Sequence, residues 1–339
     1  MVMSSARNAP SRTSRVTPLT LAAGVGIVLA YFQAYLAVKW VSGPNFAEVT
    51  SGPTIPPTWM KIAIITAEVA TTAAVVAIIY RLVVRPWRQE RRVRFDGLLV
   101  LAALATSMYD PLNSYFHAWF AYNSYFVNRG TPMVELPGWR SFNAPGAQIA
   151  WPIFFIPALY AAIFLGVAAL LCWVMRRAQA RWPQLPRGAL VGICFATIVV
   201  IDILLEGVVV MRLGFYDHTG PSISFLDSYY SHNALANILL VSVTVTAAAC
   251  LRFFRNDRGE TLVERGAHQI GTTGAKVTVL RFFAVLAAMQ AMLLFGYHLP
   301  MTVWTSVTPN AAWHEDMQQN SYLNDHICGV GTPRVCPHG

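Results

Sequence analysis

Four carboxylic acids stand inside or beside apolar runs of this chain: Glu68, Asp110, Asp202 and Glu206. Asp202 and Glu206 lie in the stretch IVVIDILLEGVVVMRLGFYDH, residues 198–218, four positions apart. On a helix that spacing stacks them on one face, roughly 5–6 Å apart at Cβ. A carboxylate at membrane depth costs at least about 2.5–3.5 kcal/mol, so two on one stripe ask for a function. A carboxyl group taken out of water favours its neutral form and can donate a proton near neutral pH. Neighbouring carboxyls push each other's proton affinities apart, which gives one acid and one base. The competing reading is structural: acids hydrogen-bonded to Ser, Tyr or Arg of adjacent helices to fix packing.

Three further polar strings accompany the acids. Residues 109–123 carry Tyr109, Asp110, Asn113, Tyr115, His117, Tyr122 and Asn123, followed by PGWRSFNAPG at 137–146. Asp110–Pro111 reads as a broken helix end aimed into a cavity, since proline cannot continue the ladder. Trp119 and Trp139 fit an interfacial belt instead. Residues 215–237 hold Tyr216, Asp217, His218, Asp227, Tyr229, Tyr230, His232 and Asn233. Histidine and aspartate in such number can bind a metal, but the spacing fits no HExxH or CxxC signature. A hydrogen-bonded loop is the preferred reading, with no metal and no cofactor. The tail carries Cys328 and Cys336, which could close a small loop over the site, or join His326 and His338 around a metal. Cys172, Cys194 and Cys250 read as small core residues.

The elements that must position these groups are apolar helices. The chain has 339 residues, 55% hydrophobic and only 12% charged, against about 25% charged in soluble domains. The expected architecture is all-α: a polytopic membrane bundle of seven transmembrane helices at 19–41, 60–84, 98–120, 149–174, 189–213, 234–254 and 280–301. Each approaches the ~20 residues that span a bilayer. The third is polar and aromatic in its second half and contains Pro111. Residues 1–18 form a basic N-terminal tail, 19–301 the membrane domain, and 302–339 a C-terminal tail that could act as a lid. The first run is too long for a signal peptide's apolar core, and reads as an uncleaved span.

The net charge of +9 raises nucleic acid as a partner. The basic residues instead cluster between apolar runs, as membrane anchors do. Nineteen of the 25 Lys and Arg fall on the side of the N-tail and of the loops after helices 2, 4 and 6. The positive-inside rule then puts the N-terminus in the cytoplasm and the C-terminus outside, in a multi-pass cell-membrane protein. The acids converge on the outer half, under the more elaborate loops. Expected partners are a lipophilic small-molecule substrate and membrane lipids, not nucleic acid. A homo-oligomer stays open. The chain has no GxxxxGK[ST] phosphate loop, no DDxxD-like cluster for magnesium, and no mid-span lysine in helix 7 such as retinal binding requires.

DPLNSYFHAWFAYN followed by PGWRSFNAPG, the acidic helix running into YDH, and YYSHNALAN before helix 6 together resemble the AveC-like spirocyclase family of polytopic membrane proteins. The resemblance implies spiroketal cyclisation of a dihydroxy-ketone polyketide, in some members with dehydration. It assigns no catalytic residues. The residues themselves suit that chemistry: Asp202 and Glu206, helped by Asp110, as acid and base. Glu68, Asn113, His117, Tyr122, Asn123, Tyr216, His218, Tyr230 and His232 are the candidates for binding the substrate. Two other classes compete. One is a proton-triggered membrane terpene cyclase. The other is a lipid-binding or transport protein with no chemistry.

Overall fold

The computed structural model of the chain describes residues 16–140, 148–220, 223–270, 274–307, 313–325 and 327–336. The basic tail before residue 16, the whole FNAPG segment, His326 and His338 lie outside the described residues. The protein is mostly helical. Among the described residues, six helices are long and apolar enough to cross a membrane: α1 (Pro18–Ser42), α2 (Thr58–Glu90), α4 (Phe155–Arg181), α5 (Arg187–Val210), α6 (Leu235–Phe253) and α7 (Ala275–Val307). Between α2 and α4 lies the shorter α3 (Phe95–Thr106).

The third expected span is where structure and expectation part. It is α-helical for only 12 residues, then tightens into a 3₁₀ segment, Ser107–Ser114. Pro111 sits inside that segment. It lacks an N–H and disfavours α geometry at Asp110 before it, so the wider α ladder cannot continue. The freed backbone is packed inside protein, where such breaks are tolerated.

Strands also appear, in two small antiparallel pairs. β1 (Phe120–Tyr122) pairs with β2 (Tyr216–His218), and β3 (Ser224–Ser228) with β4 (Ser231–Ala234). The all-α expectation is corrected to that extent, because the loops around the helix ends are long enough to pair with each other.

Several long helices depart from regular α geometry. Wider π turns occur at Tyr80–Val84, Ala162–Val167, Ile203–Val210 and Leu294–His298. Two of them precede a proline, Pro86 and Pro300, which accounts for a local change of ladder. The other two have no such cause, and π turns often mark functional sites.

The helix ends fall into two groups. At one end Arg252 grips Asp96 through Nε at 2.9 Å and a terminal nitrogen at 2.8 Å. Arg281 pairs with Glu264 at 2.6 Å and donates to the Val93 carbonyl at 3.0 Å. The Leu19 amide donates to Arg265 O at 3.1 Å, closing α1 onto the same cluster. At the other end, loops knit into a cap. Asn128 brackets the Val49 backbone, accepting from its N–H at 2.9 Å and donating to its carbonyl at 3.1 Å. The Ser124 amide donates to Tyr322 O at 2.8 Å, and the His314 amide to Thr219 O at 3.2 Å. Cys328 and Cys336 form a disulfide in the C-terminal part of this cap, beside the short helix α8 (Glu315–Gln319). The segment 95–114 runs from the first group to the second, with Asp96 at one end and Ser114 accepting from the Trp119 amide at the other.

Close helix packing rests on small residues, as in membrane bundles generally. Gly26 of α1 lies directly against the Phe283 carbonyl of α7, and a β-carbon there would sit 2.7 Å from the carbonyl carbon.

Candidate active site

An apolar cavity of about 130 Å³ lies under the cap, between α4, α5, α6, α7 and the β1–β2 pair. Ile156, Phe164, Ile198, Val245 and Leu293 supply much of its wall. Asp110, Asp202 and Glu206 are its acids. Three of the four π turns contribute to it, through Ile163, Phe164 and Val167, through Leu205, Glu206 and Val210, and through Tyr297. The π turn beginning at Ile203 starts immediately after Asp202, the last α residue of its segment.

The three acids have different surroundings. Asp110 is held by two phenols: the Tyr122 hydroxyl donates to one oxygen, and the Tyr160 hydroxyl to the other at 2.8 Å. Glu206 accepts from Asn237 Nδ2 at 2.9 Å, and the Tyr216 hydroxyl lies against its carboxylate. Asn237 is itself held by the Tyr297 hydroxyl at 2.7 Å, and Tyr297 accepts from Asn113 Nδ2 at 2.9 Å. Asp202 has no such support. It is buried, and its Oδ2 has no hydrogen-bond partner.

The alternation of β2 explains which cap residues reach the cavity. Successive side chains of a strand point to opposite faces. Tyr216 and His218 line the cavity, while Asp217 between them turns to the far side. His218 Nδ1 stands 3.0 Å from the His232 carbonyl oxygen, which fixes the proton on Nδ1. Burial pushes this imidazole down to about 4, so it is neutral at physiological pH.

Of the remaining expected site residues, Asn113 reaches the cavity only through Tyr297. Glu68 lies outside it and accepts from the Val127 amide at 3.0 Å, tying α2 to the cap. Asn123 donates to Gly214 O at 2.8 Å and to Met60 Sδ at 3.0 Å, within the cap. Tyr230 packs on Trp59 and Tyr229. His232 faces Asp217, away from the cavity, and His117 is half-buried and does not line it. Tyr160, Tyr297 and Asn237 line the cavity but were not singled out by sequence. Tyrosine in an apolar run looks like a belt residue, so only the placement of Asn237 just inside a span could have drawn attention.

Fold and site together define a class: a helical membrane protein with an acid-lined apolar cavity inside the bundle. Within that class, the model of the family described as "Spirocyclase AveC-like" matches residues 90–323, and the chain belongs to this family. The matched part contains all three cavity acids, and α1, most of α2 and Glu68 precede it. The family indicates a cyclase-type role. No curated protein and no solved structure matches the chain.

Proposed function

We propose that the protein is a membrane-embedded cyclase that closes a lipophilic dihydroxy-ketone into a spiroketal. One observation carries this reading: three carboxyl groups from two separate segments meet around one apolar cavity, one of them with an oxygen free to bond to a guest. Spiroketal formation adds one hydroxyl to the ketone, expels water to give an oxocarbenium ion, and adds the second hydroxyl. The net change is loss of one water. It requires a proton donor for the departing hydroxyl, an acceptor for each attacking hydroxyl, and negative charge beside the cation.

Asp202, unpartnered at Oδ2, protonates the ketone oxygen as the first hydroxyl adds and then the hydroxyl that departs as water, recovering its proton from Glu206 between the two steps. Glu206, fixed by Asn237 and Tyr216, accepts the proton of each incoming hydroxyl in turn and passes it to Asp202. Asp110, fixed by Tyr122 and Tyr160, faces the developing positive charge. The apolar wall excludes bulk water and selects the face that closes. A cavity of this size suits the ring-forming part of a substrate better than a whole polyketide chain. Leu205 both lines the cavity and is 44% exposed on the apolar flank of α5. This favours entry from the bilayer, with the rest of the guest left among lipids.

In the same reading, 95–114 is a seventh crossing, the N-terminus is cytoplasmic and the cap lies outside. The basic clusters favour this, and so does a disulfide in the cap, since such bonds persist in oxidising compartments. Reporter fusions after residue 339 and within 255–270 test the orientation.

The activity test supplies membranes holding the protein with a ketodiol and, separately, a linear polyene. Accelerated formation of one spiroketal stereoisomer is expected. Cyclisation of the polyene alone would favour the terpene-cyclase class, and ligand retention with no product the binding-protein class.

A further inference from the structure

The far face of β2 carries a second group of chemical side chains that the cyclase reading does not use. Asp217 Oδ1 accepts from the backbone N–H groups of His218 at 2.8 Å and His232 at 2.9 Å. Its Oδ2 stands 2.5 Å from His232 Nδ1. Asp316, from α8, brings a second carboxylate to the same point. Its Oδ1 is 3.9 Å from His232 Nδ1, it is 1% exposed, and neither oxygen has a hydrogen-bond partner. One ligand atom from each of Asp217, His232 and Asp316 falls within 4.8 Å of the others. The His314 ring lies flat on His232, with centroids 3.4 Å apart and planes 6° apart, so the imidazole orientation is set by packing.

One imidazole stands between two buried carboxyl groups, so at most one of them has a cation to pair with, and a buried charge left over is normally paired or bound to a metal. We propose that Asp217, His232 and Asp316 bind one divalent cation of the zinc type, which clamps the C-terminal segment onto the roof of the cavity. The donor set argues for the class. One imidazole nitrogen and two carboxylate oxygens suit Zn²⁺ at about 2.0–2.2 Å, with a fourth place for water. Ca²⁺ takes six to eight oxygens, more than this group offers. Donors around a tetrahedral ion stand about 3.4 Å apart, so the present separations need shifts of about an ångström.

The ion would act on structure, not on the reaction. Asp217 points away from the cavity, but its strand neighbours Tyr216 and His218 form the cavity wall. Binding at Asp217 would therefore fix the strand that holds Tyr216 against Glu206. The alternative account of the same cluster is a pair of carboxyls sharing a proton, with no ion.

The test uses the full chain in detergent, stripped with EDTA and titrated with Zn²⁺ or with Co²⁺ as a spectroscopic probe. About one equivalent should be retained after desalting, thermal unfolding should shift upward, and Co²⁺ should give visible absorption bands typical of a four-coordinate site. Asp316→Asn should weaken binding by at least about tenfold and lose the bands, while Asp227→Asn, in β3 and outside the cluster, should keep both. Retention below a tenth of an equivalent by the parent protein would overturn the proposal in favour of the shared proton. So would equal retention by D316N. If D316N fails to fold, the parent titration and its Co²⁺ spectrum still decide. These readouts do not depend on any cyclase activity.

Discussion

The Tyr297 hydroxyl donates to Asn237 Oδ1 at 2.7 Å, and that bond dictates which end of the amide faces Glu206. With its oxygen engaged, Asn237 presents its NH₂ to Glu206 Oε2 at 2.9 Å. A residue of α7 thus controls an acid of α5 through a residue of α6. Tyr297→Phe removes the donor and lets the amide turn over. A hydrogen bond of this kind is worth about 0.5–1.5 kcal/mol, so the cyclisation rate should fall up to roughly tenfold. The change should appear in kcat more than in KM, because Glu206 loses orientation while the apolar wall is kept. An unaltered kcat would remove Tyr297 from the positioning chain.

Asp202→Asn should separate chemistry from folding. The proton-transfer role predicts a loss of about 10²–10⁴-fold in product formation. Asp202 Oδ2 has no partner to lose, so thermal stability should stay within about 1 kcal/mol of the parent. Product assays and unfolding curves on one preparation check both halves. Full activity in a folded D202N protein would end Asp202's part in the reaction.

A pH effect is expected from the cap. Burial pushes the Asp325 carboxyl up to about 8, against a hydrogen bond from the Ala150 amide. In the unfolded chain the same group titrates near ~3.9. Between those values the native state holds a proton that the unfolded state releases, so this contribution falls as pH rises from about 4 to about 8. Asp325→Asn keeps an acceptor for Ala150 and tolerates the left-handed backbone found there, φ 49°. Melting curves at pH 5 and pH 8 should show the parent losing more stability than the variant, with the variant ahead at pH 8. Parallel behaviour would exclude Asp325 as the source.

The α1–α7 contact gives a packing prediction. Gly26→Leu drives a side chain into the Phe283 backbone and should cost at least about 1–3 kcal/mol. Gly24→Leu, where a β-carbon meets nothing within 4 Å, should cost far less. Thermal unfolding of the two variants compares them directly, and equal losses would mean that α1 does not dock through Gly26.

Helical spans were legible because apolar length alone marks them: the expected runs at 19–41 and 234–254 differ from α1 and α6 by about a residue at each end. The segment with Pro111 was legible as a break, but not as a 3₁₀ turn, since a proline says where a ladder fails and not what replaces it. Asp202 and Glu206 were brought to notice by their spacing on one helix. Glu68 drew equal notice, yet its partner is an amide 59 residues away, which no local pattern encodes. The same holds for the Asp217–His232–Asp316 cluster, where strand alternation and the return of the tail do the gathering. Metal-ligand spacing motifs describe ligands on one short segment, and this group has none.

Leu205 has a kinetic corollary. A guest that passes an exposed leucine on the helix flank is drawn from the oil phase, so its effective concentration is a mole fraction in lipid and not a molarity in buffer. Diluting proteoliposomes with inert phospholipid, at constant total substrate, should then slow turnover as though substrate had been withdrawn.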